Sequence, residues 1–517
     1  MNKYRIKSVD EMSVEELIGQ LIMIGIPNTE LDSKSKEFIK QYKIGNLIYF
    51  SRNYKDTKQI KKLNNEVYDY ISEVTGSFPL ISIDQEGGMV TRLFTDVTFP
   101  ASPMTTSGTN IPNAPYEAGF IIGEDMLKLG LNLNLAPCLE INNKLENYLV
   151  NVRSYGGNKQ IVLENAKKFV KGLHDSHVLS CLKHFPGAGS SNRDSHLVLP
   201  IIEDSLEDLE EYNLYPFIHL LETDAIMSSH CLFKSFDDLP TTLSHKLLTE
   251  FLREEVGYRG LIISDGMEMK AISDNYGVAK GSVMALKAGC DILLLCHYYD
   301  EQKSAFDAVL NAYHEGILTL DEIKEKVRRI NKAKERVLVG LNKYFTDEEY
   351  KTVKNEHKLM QDIVDESYTL INGTKPYLDK DTLVLAPKAL VSSIVEDEFD
   401  SRNLCSLFKK EFKDATIYEF SDELGFNDKI INSLDKYNHI LIYSYDAYRD
   451  NNQLTLINEI LNKHHNVHLV SLKGPMDKVY FNNPLNYSCL YEYTPNSLRT
   501  VVKQLKQNSD LLGHLPL

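Results

Sequence analysis

Leu261-Ile262-Ile263-Ser264-Asp265-Gly266 is a short apolar run closed by a carboxylate and a glycine. Unbroken aliphatic residues over so short a length suit a strand buried on both faces, as in a parallel sheet. The form recurs eight times through the first two-thirds of the chain, at 21–26, 45–50, 80–84, 131–137, 179–184, 225–230, 261–265 and 291–296, with amphipathic polar stretches between. Strands alternating with helices predict βα units, and eight of them is the number that closes a (β/α)8 TIM barrel. Ser13-Val14-Glu15-Glu16 has the form of a capping box and predicts a helix ahead of the first strand.

The polar residues fall where such a barrel needs them. Asp84, Lys183 with His184, His230 and Asp265 each end an apolar run. Barrel active sites are assembled at the C-terminal strand ends. After Gly340 the composition shifts: 347–371 is charged with helical spacing, and Asn372-Gly373-Thr374-Lys375-Pro376 reads as a helix stop and turn. Strands are expected at 383–386, 417–420, 439–443, 467–472 and 489–493, alternating with helices such as 452–464 and 497–507. The expected organisation is α/β throughout: a barrel over 1–345, a helical linker over 346–376 and a smaller αβα sandwich over 377–517.

With 517 residues the chain exceeds one ordinary core, and 43% apolar with 25% charged residues is a globular composition. A formal net charge of −16 argues against a nucleic-acid or anionic-membrane partner. The seven cysteines are widely spaced, without CxxC or Cys/His ligand spacing, and predict buried free thiols in a reducing compartment. No signal-type segment opens the chain and no window approaches the ~20 apolar residues of a spanning helix, so a cytoplasmic protein is expected. Nothing in the spacing implies a metal or cofactor, and a monomer and a homodimer are equally compatible with it.

Asp265, held by rigid backbone at a strand end, reads equally as a helix N-cap or as a catalytic carboxylate. His196 follows Asp194 by two residues, a spacing that lets the carboxylate hold one ring nitrogen while the other faces a substrate. Ile83-Asp84-Gln85-Glu86-Gly87-Gly88-Met89-Val90-Thr91-Arg92 sets an acid at a strand end, a tight turn and an arginine. Asp84 with Arg92 suits ligand hydroxyls or a structural ion pair equally well. Arg153 is undecided by its local pattern. Lys183, on the interior end of an apolar strand, calls for a ligand or a carboxylate partner, because an unpaired buried ammonium is costly.

Segments 13–20, 83–92, 151–156, 183–200 and 262–272, above all Lys183-His184-Phe185-Pro186-Gly187 followed by Asp194-Ser195-His196, resemble glycoside hydrolase family 3 in its bacterial β-N-acetylglucosaminidase branch. The resemblance covers about the first 340 residues. It implies a retaining hydrolase with Asp265 as nucleophile, His196 as acid/base and Asp194 as its dyad partner. It further implies that Asp84, Arg92, Arg153, Lys183 and His184 bind a terminal N-acetylglucosamine, with fragments of N-acetylglucosamine linked to N-acetylmuramic acid as substrate and a role in peptidoglycan recycling. The chain departs from the usual pattern at Ala188, at Ser190-Ser191 and at Cys138-Leu139-Glu140. A phosphorylase using phosphate as acceptor, and a sugar-binding protein with a degenerate site, are the alternative expectations.

Overall fold

The computed structural model describes residues 4–142, 150–187, 194–344, 350, 353–388, 396, 403–413, 415–482 and 484–517. Eight parallel strands close into a barrel in sequence order: β1 Ile22–Gly25, β2 Asn46–Tyr49, β3 Leu80–Ile83, β4 Leu133–Asn134, β5 Leu179–Phe185, β6 Ala225–Ser228, β7 Leu261–Gly266 and β8 Ile292–Leu295. All eight fall on the apolar runs predicted from sequence. The fourth is much shorter than the expected 131–137. Pro137 has no N–H to donate, and the side chains of Asn132 and Asn134 take backbone bonds that a ladder would otherwise make, accepting from the N–H groups of Ile81 at 2.8 Å and Gln85 at 3.1 Å.

Helices cover the outside of the barrel. The predicted capping box is formed: Ser13 accepts from the Glu16 N–H, and the Glu16 carboxylate returns a bond to the Ser13 N–H, starting the helix Val14–Gln20. Thr57–Thr75, between β2 and β3, begins on the Asp56 side chain and stops at Gly76, whose φ of 75° is readily adopted only without a Cβ. Its Ile60, Leu63, Val67 and Ile71, spaced at 3–4 residues, are buried in the common barrel core.

The segment 346–376, expected as a helical linker, contains helix Lys354–Ser367 and then strand β9, Thr369–Asn372. That strand joins the second sheet, because Thr369 and Leu370 pair with Cys489 and Ser488. The remaining strands are β10 Thr382–Ala386, β11 Thr416–Glu419, β12 His439–Ser444, β13 Val467–Ser471 and β14 Asn486–Cys489, in the order β9-β14-β13-β12-β10-β11. Only the β9–β14 pair is antiparallel.

Side chains alternate between two cores as strand geometry requires. Val384, Leu441 and Val470 face helices Leu404–Glu411 and Pro495–Gln507, while Leu383, Ile440 and Leu469 face helix Asn451–Lys463. The result is the expected αβα sandwich.

The strand anticipated at 489–493 ends instead at Cys489. Beyond it the chain turns onto the barrel domain, where buried Glu492 accepts from the Ser102 N–H at 2.7 Å and the Thr105 hydroxyl at 2.8 Å. Strand pairing thins there to an isolated antiparallel bridge between Tyr491 and Lys473, and interdomain hydrogen bonds take over. All seven cysteines are buried free thiols. Among the described residues no helix is long and apolar enough to cross a membrane.

Candidate active site

A cavity of about 580 Å3 opens at the C-terminal ends of the barrel strands, lined among others by Asp84, Arg92, Arg153, Lys183, His196 and Asp265. His184 also lines it. Asp194 stands behind His196. Thus the eight residues singled out from sequence converge on one place. Ala188, Ser190 and Ser191 lie outside the described residues.

The floor is organised by Glu86, a carboxylate with no role evident from its local sequence. Glu86 lies in a two-stranded hairpin, Gln85–Gly87 with Val90–Thr91, that follows β3. The turn needs glycine: Gly87 has φ 102°, and a Cβ there would sit 2.2 Å from the Ala101 carbonyl oxygen. This close approach aims the Glu86 side chain inward, where it is fully buried. Arg153 grips it with two bonds, Nε at 2.9 Å and Nη2 at 2.7 Å, and Lys183 Nζ lies 2.7 Å from Oε1. Lys183 also donates to Asp84 at 2.6 Å, and Arg92 lies 3.6 Å from the other Asp84 oxygen.

The partner demanded for Lys183 is therefore a pair of carboxylates. Burial works against ionisation of Glu86, but the charges and hydrogen bonds of Arg153 and Lys183 outweigh it and hold its pKa far below the usual range. Arg153, undecided from sequence, is carried into the cluster by the short 3-10 turn Asn151–Arg153.

Asp265 ends β7, where its Oδ1 accepts from the Gly266 N–H at 2.7 Å. Burial would raise its pKa, yet the imidazoles of His184, His230 and His196 and that N–H bring it below the ordinary value. An ionised carboxylate at neutral pH follows. His230 sits behind it. Its Nε2 is 2.9 Å from the Gly266 carbonyl and its Nδ1 is 2.8 Å from the Thr242 hydroxyl. A carbonyl can only accept, so Nε2 carries the proton. Burial lowers the His230 pKa, leaving a neutral ring that braces the backbone next to Asp265.

His196 Nδ1 lies 2.7 Å from Asp194 Oδ1, which also accepts the His196 backbone N–H at 2.9 Å. Asp194 further closes the turn through its carbonyl, which accepts from the N–H groups of Leu197 and Val198, each at 3.0 Å. The Ser195 carbonyl accepts from the Ala271 N–H at 3.3 Å, tying the loop to the segment after β7. Burial would make the imidazolium harder to form, but the Asp194 hydrogen bond and the charge of Asp265 prevail, so the His196 pKa is raised above 6.5. Asp194 is correspondingly lowered: the bonds from His196 overcome its own burial. Such a pair can supply a proton donor opposite an ionised carboxylate.

Three further residues were missed from sequence. Glu140 accepts from His184 Nδ1 at 3.0 Å. Glu268, three residues after Asp265, lines the cavity, and burial raises its pKa to about 7. Glu396 comes from the smaller domain, where the sequence offered no chemistry, and lines the same cavity while held by Lys473 and by the Tyr445 hydroxyl at 2.8 Å. The need of a buried lysine for a counter-ion was the only signal that could have found Glu86. For Glu396 there was none.

Residues 13–333 match the model of the glycosyl hydrolase family 3 N-terminal domain. A β-N-acetylglucosaminidase of glycoside hydrolase family 3 from Paenibacillus sp. str. FPU-7 superposes with a TM-score of 0.91 at 32% identity, covering 98% of both chains. Beta-hexosaminidase A of Pseudoalteromonas piscicida is 31% identical over 52% of this chain and 48% of its own, so the match spans about half of that relative. Beta-hexosaminidase of Photobacterium profundum is 29% identical over 56% of this chain and 85% of its own length. A family model matched across more than half of the chain, on a barrel whose strand ends carry the expected groups, means that this protein belongs to glycosyl hydrolase family 3.

Proposed function

We propose that this chain is a retaining exo-β-N-acetylglucosaminidase that releases terminal N-acetylglucosamine from N-acetylglucosamine–N-acetylmuramic acid fragments of peptidoglycan, acting in the cytoplasm as part of cell-wall recycling. The observation that carries the reading is the convergence of ionised Asp265 and the Asp194–His196 pair on one cavity. The names of the Paenibacillus and Photobacterium relatives support the sugar class.

In the first step Asp265 attacks the anomeric carbon, the glycosidic C–O bond breaks, and His196 gives its proton to the departing oxygen. Asp194 keeps the other ring proton and stabilises the imidazolium before transfer. In the second step the now neutral His196 takes a proton from water, whose oxygen displaces the Asp265 ester and restores both groups. The Asp84, Arg92, Lys183 and Arg153 cluster, with His184, offers charged donors and acceptors to the sugar hydroxyls and N-acetyl group. Glu86 positions the cations.

A 5-fluoro analogue of N-acetylglucosamine, followed by peptide mapping, tests nucleophile and sugar class together. The adduct is expected on Asp265. Label on another side chain, or none with an inhibitor that does inactivate, would refute the assignment. N-acetylglucosamine 1-phosphate formed in phosphate buffer would make phosphate the acceptor in the second step.

A further inference from the structure

Cys138 and Glu140 are two residues apart in extended backbone, so both side chains project to the same side. Cys138 is paired with Lys183 in an isolated parallel bridge, and the Leu139 N–H donates to the Lys183 carbonyl at 2.7 Å. This pairing sets His184 beside both. The Cys138 sulfur, a Glu140 carboxylate oxygen and a His184 ring nitrogen all lie within 4.8 Å of one another. No pair of these residues has a spacing that marks a metal site in the sequence.

We propose that Cys138, Glu140 and His184 form a binding site for a thiophilic divalent cation, best matched by zinc, and that filling it inhibits the enzyme through His184. One sulfur, one nitrogen and one oxygen donor make a borderline-soft set of the kind zinc prefers over magnesium or calcium. A tetrahedral ion with ordinary bond lengths keeps its ligand atoms roughly 3.3–3.8 Å apart, so modest side-chain adjustment within the observed spread would seat it. The three protein ligands leave a fourth position for water.

The site lies one layer behind the sugar cavity: His184 lines the cavity, whereas Cys138 and Glu140 are 0% and 2% exposed. Binding releases the thiol proton and the proton shared by His184 Nδ1 and Glu140 to solvent, and metal–sulfur and metal–nitrogen bonds take their place. His184 is then fixed by the ion: the dication replaces two protons, so the net charge of the cluster is unchanged, but the ring is no longer free to adjust to the sugar. Sugar binding weakens as a consequence. Zinc therefore raises KM, and the effect depends on a thiol that takes no part in catalysis.

The test uses the full chain with two probes. Cadmium titration reads the ultraviolet thiolate-to-metal absorption without reference to activity, and zinc titration reads hydrolysis of a chromogenic N-acetylglucosaminide. Both are repeated with Cys138→Val, which is slightly larger, and with Cys138→Ala, which is smaller, so that a packing defect of one kind does not decide the result. The parent should show the absorption band and both variants should lack it. The zinc concentration for half-inhibition should rise at least about tenfold in the variants, since even a ligand's outer partner is commonly worth 10–100-fold in affinity. Absence of the band in the parent, its persistence in both variants, or equal zinc sensitivity of parent and variants would overturn the proposal. The cadmium result stands even if the sugar specificity proposed above is wrong.

Discussion

Replacing Glu86 by glutamine keeps the side-chain volume and removes the charge that two cations share. Asp84, Glu86, Lys183 and Arg153 sum to zero and Arg92 beside Asp84 adds one positive charge; Glu86→Gln raises that excess from one to two in a site where the side chains of Glu86, Lys183 and Arg153 are 0%, 3% and 11% exposed. Lys183 keeps Asp84 at 2.6 Å, but Arg153 loses the charged half of its two-bond grip. Breaking a buried ion pair from one side costs about 3–5 kcal/mol, most of it from the charge left without its counter-ion. At about 2 °C per kcal/mol for a large domain, the Tm should fall by roughly 6–10 °C.

The chemistry should suffer separately, because displacement of binding groups by about 1 Å can cost ~100-fold. Differential scanning calorimetry and steady-state kinetics on a chromogenic N-acetylglucosaminide measure the two effects. A Tm within about 2 °C of the parent would refute the buried-charge reasoning. Unchanged kcat/KM in a destabilised variant would show that Glu86 holds the fold without positioning the sugar-binding cations.

His196→Ala should slow hydrolysis of an unactivated disaccharide by about 10²–10⁴ and that of an activated aryl glycoside much less; equal losses on both would remove His196 as the proton donor. Because the donor must be protonated, kcat/KM should fall as pH rises through the raised His196 pKa above 6.5, and Asp194→Asn, by removing the group that raises it, should bring that fall to lower pH. An alkaline limb that does not move would contradict the dyad. Far from the cavity, Lys334 is fully buried, donates to Gln20 at 2.7 Å, and is brought down to about 7 by burial alone. Its unfolded form binds a proton below about pH 10.4 and its folded form only below about 7, so the destabilisation grows as pH falls across that window and is complete below it. Lys334→Met should therefore raise the Tm at pH 6 more than at pH 10; equal changes at the two pH values in thermal melts would show that the lysine is solvated in the native state.

What the chain reveals unaided is whatever repeats locally. Eight apolar runs, polar residues at their ends, and the Ser13–Glu16 cap are patterns of neighbours, and each appears in the fold at its expected place because period and capping depend on adjacent residues. The same holds for Asp194 and His196, two residues apart and bonded at 2.7 Å. The helical pattern over 347–371 misled at its C-terminal end because edge pairing with Cys489 and Ser488, more than a hundred residues away, determines the conformation from Thr369 onward. Glu86 meets Arg153 across 67 residues, and Glu140 meets His184 across 44. Glu396 enters the cavity only because a second domain docks there. Charge compensation in a buried cluster is a property of three-dimensional neighbours: sequence could state that Lys183 needed a counter-ion, and only barrel closure decided which carboxylates would supply it.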